Sequence, residues 1–381
     1  MADLLEGIRI VDLTSVVFGP FATAMLADLG ADVIKIEPPT GDVFRYAGAP
    51  AVTKGMGPCT LALNRGKRSV VLDLKRPEDA DTLRALIATA DVFIHNIRGR
   101  AIERLGFGYD AMAVLKPGLL YVHCVGFGAG GPYADLQAYD DVIQAATGTA
   151  TLATRVDGDP KPRYLPSLIA DKVAGLYGAN AVLAAIIGKL RTGQGRFVEV
   201  PMFEAFAHFM LQEHLYGATF VSQTYKAGYP RQLDPHRQPF PTADGHISIV
   251  PYTDAAVITL FDLLGAPEAL TVEPFTTPKG RGLNMTPLYA EIAKHTPKRT
   301  TAEWCALLRE AQIPAMPVRD LDDILADPHL QATGFFREEE HPSEGAYVSM
   351  RHPVRYAGYE PAPGPAPRIG QDTDAVSRGL G

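Results

Sequence analysis

Residues 8–37 read IRIVDLTSVVFGPFATAMLADLGADVIKIE, and this stretch decides the fold class. Two β-branched apolar runs, IRIVDL and ADVIKIE, enclose a run with helical spacing, FATAMLADLG. Two strands that follow each other in this way, with a helix between them, pair in parallel because a parallel pair needs a long crossover. We therefore predict that the chain opens with a β-α-β unit.

The same alternation continues to about residue 200. The apolar runs RSVVLDL, DVFIHNI, LLYVHCVGF and RFVEVPM are separated by helical patterns such as PEDADTLRALIATA and AIERLGFGYDAMAVL. Residues 167–192 predict one long helix, whose small side chains imply close packing. The pattern predicts an α/β fold with a mostly parallel sheet and with ligands near the carboxyl ends of its strands.

The sequence pattern changes near residue 226, where proline and glycine residues separate short predicted strands in PRQLDPHRQPFPTADGHISIVPYT. Helical patterns, AAVITLFDLLG and TAEWCALLREAQ, follow. We assign a large domain to residues 1–200, a linker to 201–225, a small domain to 226–325, a second linker to 326–350, and a return onto the large domain to 351–381.

Composition excludes several classes of partner. The 381 residues carry a formal net charge of −7, which offers no basic field for nucleic acid. Cys59, Cys124 and Cys305 are far apart and in no metal-ligand spacing, as in reduced cytoplasmic proteins. No window reaches the roughly 18 apolar residues of a membrane span. We expect a cytoplasmic protein without metal, membrane or nucleic-acid partner.

A glycine motif invites a nucleotide-binding interpretation. Gly126, Gly128 and Gly131 in VGFGAGGPY satisfy G-x-G-x-x-G after a predicted strand. A dinucleotide fingerprint opens the first β-α-β unit and leads into a helix, whereas Pro132 follows here. An ordinary glycine-rich turn is therefore favoured over an NAD site. Backbone N–H groups of residues 126–131 remain candidates for oxyanion stabilisation.

Basic residues recur after the predicted strands of the first 104 residues. Such side chains hold phosphates by charge-assisted hydrogen bonds, and a solvated surface is the alternative. The cluster comprises Lys35, Arg45, Arg65, Lys67, Arg68, Lys75, Arg98, Arg100 and Arg104.

Asp171, in YLPSLIADKVAG, is the candidate nucleophile. It falls in the first turn of the long predicted helix, whichever of Ser167 or Asp171 caps that helix. A helix N-terminus keeps a carboxylate ionised, and an ionised carboxylate in a dry pocket attacks thioesters. A plain N-cap is the alternative role.

With these residues in view, the chain resembles the class III CoA-transferases, or CaiB/BaiF family, which includes formyl-CoA and carnitinyl-CoA transferases and α-methylacyl-CoA racemase. The resemblance spans nearly the whole chain. It rests on GPFATAMLADLGADVIKIEPPTGDVFR at 19–45, LNRGKRSVVLDLKRPED at 63–79, residues 90–110, GFGAGGPYADLQAYDDVIQAATG at 126–148, and LIADKVAG around Asp171.

The resemblance implies that Asp171 is the catalytic nucleophile and that the acyl-CoA and carboxylic acid are substrates, with no permanently bound cofactor. It also implies an interlocked, ring-like homodimer with a Rossmann-like large domain and a smaller α/β domain. The residues that it places at the coenzyme and substrate site are Val17, Leu72, Lys75, Asn96, Arg98, Arg104 and Tyr139.

Several positions depart from the family pattern. Val17 stands where formyl-CoA transferases have glutamine, and PTADGHISIVPYT lacks their glycine run, so formyl-CoA is a poor substrate candidate. Pro38 replaces an arginine on the adenine side, and the usual N-F-R-P-G turn reads NIRGR at residues 96–100.

Transfer is favoured over racemisation. Tyr139 occupies the position of the racemase histidine, and a phenol with a pKa near 10 is a poor base at neutral pH. Asp140 and Asp141 keep a racemase or epimerase open, and a non-catalytic acyl-CoA-binding protein is the third alternative. For the acid, four side chains are candidates to bind a second carboxylate, which points to dicarboxylic acids such as succinate and donors such as succinyl-CoA. These are Arg231, His236, Arg237 and His246. A solvent-facing role is the alternative for each.

Overall fold

A parallel sheet lies at the centre of the first half of the computed structural model, which describes residues 4–221 and 226–380. Within that described part six strands pair side by side, all in parallel, in the order β3-β2-β1-β4-β5-β6. They are β1 Arg9–Leu13, β2 Asp32–Glu37, β3 Arg68–Val71, β4 Val92–His95, β5 Leu120–Val125 and β6 Arg196–Pro201. The predicted α/β fold with a parallel sheet is confirmed.

Helices cover both faces of this sheet, which explains why its strands are continuously apolar. Side chains of α1, α8 and α9 pack on one face, and those of α3, α4, α5 and α15 on the other. The helices of this part are α1 Phe18–Asp28, α2 Pro58–Leu63, α3 Pro77–Thr89, α4 Gly99–Arg104, α5 Tyr109–Leu115, α6 Asp140–Ala146, α8 Ile169–Thr192, α9 Met202–His214, α14 Pro328–Ala332 and α15 Thr373–Arg378.

Helices α1 and α8 pack closely, as the small residues of α8 predict. A Cβ atom on Gly175 would lie 2.8 Å from Cδ1 of Phe21 and 3.0 Å from the carbonyl oxygen of Phe18. By length and composition alone α8 could cross a membrane. Its buried side chains, including Val173, Ala174 and Val182, belong instead to the core over the sheet.

The chain divides into two compact units. The first comprises Met1–Ala150, Tyr164–Met210 and Pro328–Gly381, and the second comprises Thr151–Arg163 and Leu211–Asp327. The longer part of the second unit thus begins inside the stretch expected to be a linker. Its shorter part, Thr151–Arg163, lies in the stretch expected to belong to the large domain. Hydrophobic periodicity does not show that so short a segment belongs to another unit.

The C-terminal segment is hydrogen-bonded to the first unit. The N–H of Gly66 donates to the carbonyl of Gly364, and the carboxylate of Asp372 accepts the N–H of Ser69. A hairpin of β10 Phe336–His341 and β11 Gly345–Met350 precedes this segment.

The second unit has its own core around Leu260, Phe261, Ile292 and Trp304. Its helix α13 starts with a capping box between Thr300 and Glu303. The elements of this unit are α7 Leu152–Asp157, β7 Phe240–Pro241, β8 His246–Ile249, α10 Asp254–Leu264, α11 Pro278–Leu283, α12 Met285–His295, α13 Thr301–Glu310 and β9 Ala315–Pro317.

Buried ion pairs lie at the carboxyl ends of β1 and β2. The ammonium of Lys67 lies 3.3 Å from the Asp12 carboxylate, and neither side chain is exposed. Lys35 pairs in the same way with Asp42 at 3.1 Å. Glu37 accepts Nε and Nη2 of Arg45, at 2.6 Å each. In these three pairs each buried charge therefore has a buried partner of opposite sign.

Replacing one member of such a pair tests how much the pair contributes to the free energy of unfolding. In Lys67→Met, Asp12 keeps the hydroxyl of Thr23 at 2.6 Å but loses its paired cation. We expect the free energy of unfolding to fall by about 3 kcal/mol, because a buried charge is left uncompensated. Urea unfolding followed by circular dichroism measures the change. The matched control is Arg76→Met, which breaks an exposed pair with Glu78 and should leave the midpoint unchanged; equal midpoints for both variants would contradict the account.

Candidate active site

Two loops at the carboxyl edge of the sheet are tied together. The side chain of Asn96, after β4, accepts the N–H of Ser15 at 3.0 Å and donates to the Ser15 carbonyl at 2.9 Å. Asp42 accepts the N–H of Val16, whose φ of +70° is strained for a β-branched residue. The loop that leads from β1 into α1 is thereby held in one conformation.

Asp171 lies in the first turn of α8, as predicted, and its residue is 6% exposed. The cap itself differs from the expectation, because the N-cap residue is Leu168 rather than Ser167 or Asp171. Leu168 offers no side-chain acceptor to the free N–H groups of the helix. Another residue must therefore satisfy them.

Asp140, the first residue of α6, supplies that acceptor. Its carboxylate accepts the N–H of Ala170 at 2.7 Å and that of Asp171 at 3.1 Å. Gln144, one turn later, donates to Asp140 at 2.6 Å and accepts the N–H of Leu165 at 2.8 Å. One carboxylate thus caps α8 from a different helix, and it lies beside the side chain of Asp171.

This neighbourhood sets the acidity of Asp171. Burial, and then the negative charge of Asp140, raise the pKa of Asp171 to about 6, while the N–H of Phe18 opposes the rise. Loss of hydration therefore outweighs the stabilisation that the N–H of Phe18 gives to the charged form. At neutral pH the carboxylate is still mostly ionised and poorly hydrated, which suits a nucleophile.

The predicted coenzyme-site residues lie in or after the loops at this edge of the sheet. Val17 precedes α1, and its neighbour Phe18 faces Asp171. Leu72 directly follows β3 and Asn96 directly follows β4. Lys75, Arg98 and Arg104 are exposed, the two arginines standing at opposite ends of α4. Their roles toward the coenzyme stay predictions.

Tyr139 is the N-cap residue of α6 and is 61% exposed. It adjoins Asp140 in sequence, whereas Asp141 is exposed. Of the two acids that follow Tyr139, the structure thus brings only Asp140 to Asp171, by way of the N-terminus of α8.

The predicted phosphate-binding cluster needs correction. Six of its nine cations are paired with carboxylates of the first unit, and one of these pairs, Arg100 with Asp135, is exposed. In the other five pairs a carboxylate competes with any phosphate for the cation. These five are Lys35 with Asp42, Arg45 with Glu37, Arg65 with Asp28, Lys67 with Asp12, and Arg68 with Asp32. Alternating positive and negative residues in a sequence do not reveal which pairs become buried together.

Two backbone N–H groups of the glycine-rich loop already have acceptors. The N–H of Gly128 donates to Glu204 at 3.0 Å, and that of Ala129 donates to Glu199 at 2.9 Å. Because both N–H groups already have carboxylate acceptors, they are not free oxyanion donors in this arrangement. No helix follows the loop directly, since α6 begins only at Asp140.

Metal ligands are a separate question. Within residues 4–221 and 226–380 no group of three His, Cys, Asp or Glu side chains is arranged to hold a metal ion. What the arrangement around Asp171 offers chemically is a single buried carboxylate, close to a second one and to the N-terminus of a helix.

Comparison with known proteins agrees with this geometry. Residues 5–373 match the family model of CoA-transferase family III. The succinate–glutarate CoA-transferase of Agrobacterium fabrum is 32% identical over 359 residues, covering 92% of this chain and 88% of the relative. The succinyl-CoA:mesaconate CoA-transferase of Haloarcula hispanica is 30% identical, covering 94% of this chain and 92% of the relative.

Solved structures give the same result. A CaiB/BaiF family protein from Brucella suis superposes with a TM-score of 0.85 at 28% identity, over 100% of both chains. A hypothetical protein from Mycobacterium tuberculosis also gives a TM-score of 0.85, at 28% identity, over 98% of this chain and 99% of the other.

The effect of Asp140 on Asp171 is open to direct titration. Asp140→Asn removes the negative charge and keeps an oxygen that accepts the N–H of Ala170. We expect the pKa of Asp171 to fall from about 6 toward the ordinary range without reaching it, because burial is the larger cause. Carbon-13 NMR of aspartate-labelled protein, with Asp171→Asn for assignment, measures it. Asp141→Asn is the matched control, and an unshifted titration in Asp140→Asn would refute the coupling.

Proposed function

The chain belongs to CoA-transferase family III and is a CoA-transferase, and on that premise we propose that Asp171 carries CoA between a donor acyl-CoA and an acceptor carboxylic acid. The observation that carries the proposal is the buried carboxylate of Asp171 at the N-terminus of α8, with its pKa raised to about 6. A group that stays anionic at neutral pH yet sheds its water is prepared to attack a thioester.

The proposed reaction runs through two anhydrides and one thioester. The Asp171 carboxylate attacks the donor carbonyl, the C–S bond breaks, and CoA thiolate leaves a mixed anhydride. The thiolate then attacks the aspartyl carbonyl, which forms an aspartyl-CoA thioester and releases the donor acid as a carboxylate. The acceptor carboxylate repeats these steps in reverse, so Asp171 is regenerated and no proton is consumed.

The chain also contains candidates for stabilising charge at the Asp171 carbonyl. The N–H of Phe18 faces the Asp171 carboxylate, and the preceding Val16 is fixed by Asp42. We assign the N–H of Phe18 the oxyanion role in place of Gly128 and Ala129, whose N–H groups already have acceptors.

For the coenzyme, we propose that Val17, Leu72 and Asn96 line the pantetheine and adenine side of the site. We assign the phosphates to exposed cations in the same loops, Lys75, Arg98 and Arg104. The support is their exposure and the lack of a carboxylate partner for these three in the described part of the chain. Tyr139 is proposed to contact the acyl group, since its exposed side chain adjoins Asp140.

For the acids, we propose dicarboxylic substrates, with succinyl-CoA as a donor. Relatives named for succinate, glutarate and mesaconate are similar to this chain over nearly all of its length. Formyl-CoA remains a poor candidate because Val17 has no side-chain amide, although a formyl-CoA:oxalate CoA-transferase is 30% identical.

We further propose an interlocked homodimer with a Rossmann-like large domain, in which residues 201–225 and 326–350 connect the domains. Half-exposed apolar side chains on α8 and α9, such as Leu176, Ile187 and Phe209, support burial against a second copy. Three free cysteines support a cytoplasmic location.

A single incubation tests the reaction class. The purified protein is mixed with succinyl-CoA or a 2-methylacyl-CoA and a set of free acids in deuterated water, and the acyl-CoAs are analysed by mass spectrometry. We expect CoA to appear on a dicarboxylic acceptor. Asp171→Ala should lower the rate by about 10⁶-fold, as loss of a nucleophile does, whereas Asp141→Ala, which removes an exposed neighbouring carboxylate, should not.

Two other outcomes would overturn the proposal. Deuterium incorporated into an otherwise unchanged 2-methylacyl-CoA would indicate a racemase. Binding of acyl-CoA with neither transfer nor deuterium incorporation, across the whole set of acids, would indicate a binding protein.

A further inference from the structure

A cavity of about 560 Å³ lies within the second unit, remote in sequence from Asp171. Its volume falls in the range of small-molecule sites. The lining comes from the segment after α9, the turn before α10, and helices α11 and α12. Since the walls belong to one unit, the cavity does not depend on how the two units are arranged.

Arg231 is a lining cation without an acidic partner. No carboxylate of the described residues lies within ion-pair distance of it, and its Nε donates to the hydroxyl of Tyr289 at 3.3 Å. That hydroxyl, and then the one of Tyr229, raise the pKa of Arg231, so it stays charged. Arg231 also borders a second cavity of about 180 Å³.

The acidic groups of the lining are already satisfied. Asp254 holds Arg281 through two hydrogen bonds of 2.6 and 2.7 Å. Asp234 accepts the N–H of His236 at 2.8 Å and the hydroxyl of Thr286 at 2.6 Å. A guanidinium that faces a cavity, while the neighbouring acids are committed elsewhere, favours an incoming anion.

The rest of the lining is mixed, because Thr253 and Thr286 contribute hydroxyls beside apolar and aromatic side chains. The larger of these side chains are Tyr216, Tyr229, Tyr252 and Met285. A bare inorganic anion would leave this surface unused, whereas an anion with a carbon body would cover it. The shape and the charge therefore call for a ligand with one anionic end and an apolar body.

We propose that this cavity binds an organic carboxylate, with its carboxyl group on Arg231 and its apolar body against the tyrosines. Its binding does not rest on the proposed function, and an acid with one anionic end and an apolar body differs in chemistry from the dicarboxylic substrates proposed above. Of the four side chains considered as carboxylate ligands, the proposal assigns this role to Arg231. His236, Arg237 and His246 do not contact the carboxylate in this proposal.

Calorimetry on the full-length Asp171→Ala protein, without CoA, tests the binding alone. The probes are 4-phenylbutyrate, its uncharged amide and inorganic phosphate. We expect 4-phenylbutyrate to bind at least tenfold more tightly than the amide or phosphate. Arg231→Met should weaken it at least tenfold, while Arg237→Met, which changes an exposed arginine of the smaller cavity, should leave it within twofold.

A second variant guards against misfolding of Arg231→Met. Gly282 lines the cavity, and a Cβ atom added to it meets no atom within 4 Å, so a side chain can start there without a clash. Gly282→Trp places an indole at this wall of the cavity. It should abolish binding with the fold retained by circular dichroism. Equal binding of acid and amide, tighter binding of phosphate, or unchanged binding in both Arg231→Met and Gly282→Trp would overturn the proposal. Because Asp171 and CoA take no part, failure here is distinct from failure of transfer.

Discussion

The hydrogen bonds from the first turn of α8 to the carboxylate of Asp140 are the interaction on which the site depends. A helix that begins at Leu168 has no cap of its own, and Asp140 supplies one from α6. The same carboxylate places a negative charge beside Asp171. One contact therefore fixes where the proposed nucleophile lies and adds to the rise in its pKa that burial causes, so position and reactivity are not separable here.

The sheet supports this contact from the other side. Helix α1 approaches α8 closely at Gly175, and the loop before α1 is held by Asn96 and Asp42. Asp42 in turn pairs with Lys35 inside a buried group of charges. Buried charges of this kind contribute specificity of arrangement more than net stability. The strained backbone at Val16 persists because these neighbours determine it.

Much of the fold could be predicted from residues 8–37 and the alternation that follows, because buried parallel strands leave a strong apolar signal. Asp171 at a helix start could also be predicted. The cap by Asp140 could not, since it joins residues 30 and 31 positions apart without any local pattern. The burial of Lys35 and Lys67 could not be predicted either, because a charged residue normally lies on the protein surface.

The central claim is that CoA becomes bonded to Asp171. The most direct measurement is peptide mass spectrometry of protein mixed with succinyl-CoA and quenched within one turnover. The account predicts CoA, with loss of one water, on the peptide that contains Asp171, and none in Asp171→Asn. CoA attached to another residue, or steady transfer with Asp171 unmodified at every quench time, would contradict it.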